Sequence, residues 1–274
     1  MSLFRCPICT SPLSEGEHGL RCPQGHGFDR ASEGYVHLLP ANQKNSLAPG
    51  DDKDMVAARR AFLDKGWYSP LREALCEAAC RCTGESPIVL DAGCGEGYYT
   101  GGIREALLKA GKAPQTAGID ISKFSVKKAA KRYKGIEFAV GSAYHLPMAD
   151  RSVDLLLNVF SPLALDEFRR VLRPGGVYIY VVPAARHLWE MKEVLYDAPY
   201  PNEDKETPYE GFTYEEILPV DYTIHLPAQE DIQALFQMTP YCWKTPRSGK
   251  ARLAELRELD CQISFRVHIF RRDK

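Results

Sequence analysis

Apolar residues fall in short blocks along most of the chain. Residues 87–90 (Pro-Ile-Val-Leu) form a continuous apolar run, as expected of a parallel strand buried on both faces. The run breaks into glycines at every second position, Gly93, Gly95 and Gly97, and a helical pattern follows with Ile103, Leu107 and Leu108 on one side. The alternation of strands and helices then continues. Residues 116–122, 136–140, 152–158 and 177–183 read as strands, and residues 125–133 as a basic helix. Residues 168–172 end another helix, before an Arg173-Pro174-Gly175-Gly176 stop and turn. Residues 262–270 alternate as a late strand. Upstream, residues 55–63 read as a helix with Asp54 as its N-cap, and a second helix runs from about Leu71 to Cys82. Residues 42–54 are polar and read as a linker. The pattern predicts an α/β fold with a doubly wound sheet, whose sites lie at the carboxyl ends of the strands.

The glycine block carries the first chemistry. A strand, a glycine loop and a helix open a nucleotide-binding unit, because glycine lets the backbone approach a ligand that a Cβ would repel. The dinucleotide fingerprint wants a third glycine at position 98, which is Tyr98 here. What stands is Asp91-x-Gly93-x-Gly95-x-Gly97, with an acid leading the loop. This resembles motif I of the class I S-adenosylmethionine-dependent methyltransferases. The resemblance implies a Rossmann-like, seven-stranded, mostly parallel sheet. It also implies that the loop passes under the methionine half of the cofactor and that Asp91 holds its ammonium group. A second acid is then expected at the end of the next strand. Asp120 is there, and one carboxylate can accept from both ribose hydroxyls. Glu96 and Tyr98 fall among the expected cofactor contacts.

A different signal lies at the N-terminus. Cys6-Pro7-Ile8-Cys9 and Cys22-Pro23-Gln24-Gly25-His26 give the spacing C-x2-C-x12-C-x3-H. Two such knuckles around a hairpin-sized insert can close a tetrahedron on Zn²⁺, with Cys6, Cys9, Cys22 and His26 filling every position. Such a site is structural rather than catalytic. Residues 1–35 are too few to fold on a hydrophobic core alone, so metal binding is expected to fold them as a separate unit.

Composition adds bounds. The 274 residues suffice for one large α/β domain and a small module. Nine cysteines with no signal-peptide pattern point to a reducing, cytoplasmic setting, and no apolar run is long enough to span a membrane. The net charge of −1 hides local runs. Residues 123–134 carry six cations and no acid; residues 190–231 carry twelve acids and two cations; residues 244–274 carry nine cations and four acids. Any of these is a solvated face unless it meets a partner, and the basic ones suit nucleic acid.

Taken together, the paired knuckles, the Glu33-Gly34-Tyr35-Val36-His37-Leu38-Leu39 segment, Ala58-Arg59-Arg60-Ala61-Phe62-Leu63-Asp64, the methyltransferase loop and Met238-Thr239-Pro240-Tyr241-Cys242-Trp243 resemble the zinc-containing 23S ribosomal RNA guanine-N1 methyltransferases. The resemblance runs over essentially the whole chain. It implies methyl transfer to one guanine of a 23S ribosomal RNA hairpin, a zinc module (1–35) that engages RNA, a linker with helices (36–84), a catalytic domain (85–274) and a homodimer. Tyr68 and His187 match positions near the cofactor. Many base-amino methyltransferases carry N-P-P-aromatic at the end of the fourth strand. Here Asn158-Val159-Phe160 keeps only the ends of that motif, with Asn158 to orient the base and Phe160 to stack on it. Guanine N1 bears a proton, for which His187 is a candidate acceptor. Two other readings stand beside this one: a small-molecule methyltransferase with a structural zinc knuckle, and a non-enzymatic RNA-binding module.

Overall fold

The N-terminal cysteines lie in the turns that flank a three-stranded antiparallel sheet made of β1 (Ser14–Glu15), β2 (Gly19–Arg21) and β3 (Gly27–Asp29). The computed structural model describes residues 1–40, 50–203 and 208–274, so most of the predicted linker lies outside the described residues. After β4 (Val36–His37), helices α1 (Lys53–Asp64) and α2 (Ser69–Cys82) lead into the α/β unit. That unit runs β5 (Ile88–Ala92), α3 (Tyr98–Lys109), β6 (Gln115–Asp120), α4 (Lys123–Arg132), β7 (Glu137–Val140), β8 (Val153–Val159), α5 (Leu165–Val171) and β9 (Leu172–Pro183). It closes with α6 (Trp189–Leu195), β10 (Phe212–Leu226), α7 (Gln229–Gln237), α8 (Tyr241–Lys244), α9 (Arg247–Glu255) and β11 (Leu259–Arg272).

The main sheet has the order β10-β11-β9-β8-β5-β6-β7-β4. Strands β4 to β9 pair in parallel, and β11 runs antiparallel between β9 and β10. This is the expected doubly wound sheet of seven strands with an eighth, β4, added at the edge from the start of the segment 36–84 that joins the two predicted units. The chain winds from β5 outward through β6 and β7, then returns to β8 on the other side. The crevice for a ligand therefore opens between the carboxyl ends of β5 and β8.

Three local readings change. The N-cap of α1 is Asp52, whose carboxylate accepts from the backbone N–H groups of Asp54 and Met55, so Asp54 stands inside the helix. Arg173–Gly176 is no free turn. It is a bulge within β9, where pairing with β8 jumps from Val153↔Leu172 to Leu155↔Val177. Residues 212–226, unread in the sequence, form the 15-residue edge strand β10.

The core spreads over both sheet faces. One cluster joins α2, α3, α6, α7 and α9 to the inner sides of β8, β9 and β11. The cluster on the other face includes Phe4, Leu13 and Leu20 of the N-terminal module together with Leu90, Ala92, Ala139 and Leu156 of the sheet. The module therefore shares its apolar core with the α/β unit. Hydrogen bonds from the backbone of Arg5 to Pro147 (2.8 Å) and of Leu3 to the Glu137 carboxylate (3.1 Å) secure the junction. An ion pair between Lys127 and Glu33 (3.0 Å) adds to them. No helix among the described residues is long and apolar enough to cross a membrane.

Candidate functional site

In the N-terminal module, Cys6, Cys9, Cys22 and His26 converge with all four ligand atoms within 4.8 Å of one another. Cys9 Sγ and Cys22 Sγ lie 3.6 Å apart, and His26 Nδ1 is 3.6 Å from Cys6 Sγ and 3.4 Å from Cys22 Sγ. Zn–S and Zn–N bonds of about 2.3 and 2.0 Å put tetrahedral ligands roughly this far apart, so the donor set fits zinc and leaves no open position.

The second site is built where β5 ends. Asp91 is buried, and its Oδ2 accepts from Thr100 Oγ1 in the first turn of α3 at 2.5 Å. Its Oδ1 has no partner among the described residues. Burial raises its carboxyl to about 7. A buried carboxylate with a free oxygen suits the ammonium expected there, because an opposite charge offsets desolvation. Asp120, at the end of β6, accepts from the Gly95 N–H (2.9 Å) and the Ser122 N–H (2.7 Å). One bond on each oxygen leaves acceptor capacity on both for a diol.

The loop glycines do different jobs. A Cβ on Gly93 would fall 2.2 Å from Ser161 Cβ, so this glycine admits the loop that follows β8. A Cβ on Gly95 would meet only Arg59 Nη1, at 3.9 Å, and otherwise points into open space. Gly95 is thus the one under which a ligand can lie close. Gly97 caps α3. Tyr98 turns its ring beneath the Arg72 guanidinium, 4.9 Å from the ring centre. Glu96 is buried with both carboxylate oxygens unpartnered among the described residues, and burial lifts it to about 7.

Across the crevice, Asn158 is completely buried at the end of β8. Its Nδ2 donates to the Pro162 carbonyl (2.8 Å), which fixes the amide, and its Oδ1 has no partner among the described residues. The next residue but one, Phe160, takes a left-handed backbone (φ 55°) and is 47% exposed. That conformation costs a non-glycine residue about 1 kcal/mol or more, and such strain gathers at functional sites. The Phe160 ring stands 5.1 Å from Phe265, which also touches His187 (4.4 Å) and Tyr68 (5.1 Å). Tyr68 and His187 are themselves 6.4 Å apart. Four rings drawn from α2's N-cap, the loop after β8, the turn after β9 and strand β11 thus form one wall.

His187 does not fit the role of proton acceptor. It is buried, and desolvation first and the Lys192 charge second lower it to about 3. Its Nδ1 accepts from the Ser264 N–H at 3.2 Å, so the neutral ring carries its proton on Nε2. The ring is a fixed hydrogen-bond donor.

The sequence reading passed over Thr100, Ser161 and Phe265. Thr100 is nine residues past Asp91, a hydroxyl on the buried side of the first helical turn. Phe265 was visible only as one apolar position of an alternating strand. Its place in the wall comes from β11 pairing with β9, where Phe265 stands opposite Pro183.

Comparison with known proteins matches both halves. Residues 4–47 fit the zinc-ribbon family model described as "RlmA, N-terminal", and residues 85–219 fit a methyltransferase-domain model. The Bacillus subtilis (strain 168) protein called "Putative 23S rRNA (guanine-N(1)-)-methyltransferase YxjB" is 32% identical over 98% of this chain and 96% of its own length. A "23S rRNA (guanine(748)-N(1))-methyltransferase" of Streptomyces fradiae is 39% identical over 70% of this chain and 67% of its own. A solved "Putative Type II Methyltransferase" from Anaeromyxobacter dehalogenans shares the fold, with a TM-score of 0.52 at 21% identity over 73% of this chain and 95% of that one. The zinc cluster, the cradle at the end of β5 and this likeness over nearly the whole length have one reading: the chain belongs to the 23S rRNA (guanine-N1)-methyltransferase family.

Proposed function

We propose that this protein uses S-adenosylmethionine to methylate N1 of one guanine in a hairpin of 23S ribosomal RNA, with residues 1–35 helping to engage the RNA. The observation that carries the base assignment is the Asn158 amide. An unpartnered buried acceptor costs about 1–3 kcal/mol, which a donor arriving with the substrate removes. The guanine edge offers such a donor in its exocyclic amino group, next to N1. Asn158 Oδ1 accepting from that group aims N1 across the crevice toward the loop of Gly93, Gly95 and Gly97. Phe160 covers the face of the base.

In this reading Asp91 takes the cofactor's ammonium and Asp120 its ribose hydroxyls. Glu96, Tyr98, Tyr68 and His187 close the pocket. When bound, the cofactor supplies an electrophilic methyl group on a sulfonium. The chain's residues bind and align the two partners and exclude water. His187, neutral, donates from Nε2 and moves no proton, so the N1 proton is released to solvent as the methyl is transferred, with the neutral thioether as the leaving group. Cys6, Cys9, Cys22 and His26 hold zinc as structure. In this reading the enzyme works in the cytoplasm as a homodimer, as the family resemblance suggests.

Primer extension across 23S ribosomal RNA from a strain lacking the protein tests the assignment. One reverse-transcription stop lost at a hairpin guanine, and regained with the purified enzyme and S-adenosylmethionine, is the expected result. Methyl transfer to small molecules with no change in the RNA would replace it.

A further inference from the structure

Four N–H groups of the glycine loop are already engaged within the protein. Gly93 N–H and Cys94 N–H both donate to the Ile119 carbonyl (2.8 and 3.0 Å). Gly95 N–H donates to Asp120, and Gly97 N–H to the Cys94 carbonyl (2.9 Å). Three acids, Asp91, Glu96 and Asp120, stand on or beside this loop. An amino-acid ligand bound there brings its own carboxylate into an acidic, half-desolvated cleft, which demands a cation.

Arg59 is that cation. Its Nη1 lies 3.9 Å from the Cβ position of Gly95, the glycine that faces open space. The side chain is about three-quarters buried and, among the described residues, paired with Asp51 through Nη1 alone, which leaves its other N–H donors for a second acceptor. Asp51 is itself anchored at the far end of the pocket. Its carbonyl accepts from Ser122 Oγ (2.7 Å), and a Cβ on neighbouring Gly50 would touch Ile121 (2.8 Å). The Asp51–Arg59 pair thus spans from the residues beside Asp120, at the ribose end, to the glycine loop, at the methionine end. Arg59 belongs to α1, which fastens to the rest of the molecule through the ion pairs Arg132–Asp64 and Lys65–Asp231. The guanidinium is held in place before any ligand arrives.

Resting on the cofactor assignment above, we propose that Arg59 recognises the methionine carboxylate of S-adenosylmethionine and selects for it, with Asp51 aiming the guanidinium. Calorimetry on the full-length, zinc-loaded protein tests this with two titrants: S-adenosylmethionine and its decarboxylated analogue, which keeps the ammonium, sulfonium and adenosine. Arg59→Gln should weaken S-adenosylmethionine about tenfold or more, the loss expected for one charge-assisted hydrogen bond. It should leave the decarboxylated analogue within about twofold, which also shows that the variant is folded. Arg59→Lys, a point charge without the fork, should fall between. If Arg59→Gln weakens both ligands equally, or neither, the inference fails, and the free N–H groups at the start of α3 hold the carboxylate instead. Wild-type protein binding neither titrant would overturn the cofactor assignment itself, a distinct outcome.

Discussion

Asn158 and Asp91 are each buried with one side-chain atom engaged and one oxygen left over. That asymmetry separates a binding group from a structural one, because a purely structural buried amide would have both ends satisfied. Asn158→Ala should cut the single-turnover methyl-transfer rate roughly 10- to 100-fold while the calorimetric affinity for S-adenosylmethionine stays within about twofold, since the amide touches base and not cofactor. Equal loss of both would mean that the residue only shapes the pocket. Asp91 predicts a pH dependence. Burial raises its carboxyl from 3.8 to about 7, so the folded, ligand-free protein keeps a proton there across a range in which the unfolded chain has lost it. This group therefore costs stability progressively as pH rises through that range. The cofactor's ammonium favours the ionised form and reverses the shift, so binding should expel a proton near pH 7 and tighten between about pH 6 and 8. Titration in buffers of different ionisation enthalpy counts that proton, and Asp91→Asn should abolish the Asp91 contribution. A flat affinity across this range would remove Asp91 from the ammonium site.

At the scale of elements, charge runs proved less legible than apolar ones. The acidic run 190–231 and the basic run 244–274 each read as a solvated face, yet three acids of the first pair with three cations of the second. Strands β10 and β11 pair along their whole length, which sets Asp221 against Arg266 (3.0 Å) and Glu215 against Arg271; Asp197 likewise meets Arg252 (3.1 Å). Local sequence cannot see this, because the pairing joins residues some 45 to 56 positions apart. The apolar blocks, by contrast, located β5, β6, β7, β8, β9 and β11, since a buried parallel strand advertises itself by continuous hydrophobicity. Strand β10 escaped because it is an edge strand rich in acids, with alternation diluted by Pro219 and the Glu215-Glu216 pair. Metal ligands and motif acids were readable because their spacing is local. Phe265 and Arg59 were not, since tertiary contact alone brings them to the site.

The basic helix α4 keeps Lys123, Lys128 and Lys131 exposed, beside the Lys127–Glu33 bridge that leads to the zinc module. RNA phosphates should therefore gather along α4. Reversing these three lysines to Glu should weaken RNA binding and flatten the dependence of log affinity on log salt by about two to three units. Arg266→Ala and Arg271→Ala should leave that slope unchanged and lower thermal stability slightly. Filter binding over a range of salt reads both, and an unchanged slope in the lysine variant would move the RNA surface elsewhere.

For the whole molecule, the shared core changes what the zinc does. The spacing of Cys6, Cys9, Cys22 and His26 suggests a module that folds by itself on its metal, beside an independent catalytic domain. Yet Phe4, Leu13 and Leu20 are fully or almost fully buried in the same cluster as Leu90, Ala92, Ala139 and Leu156, one face of the sheet that carries Asp91. Each such side chain is worth about 1.5–3 kcal/mol when buried, comparable together to the whole stability of a domain. The edge strand β4 then continues from the module directly onto β7. Zinc binding in small ribbons supplies folding free energy on the order of 10 kcal/mol, and here that energy passes into the catalytic sheet through the common core. Calorimetric melting should therefore show one cooperative transition with zinc bound. Chelation, or Cys22→Ser, should lower that transition by at least about 10 °C. It should also weaken S-adenosylmethionine binding, although no zinc ligand touches that pocket. Two transitions, with only the smaller one moved by chelation and cofactor affinity intact, would show instead that the module and the sheet fold independently despite their contact.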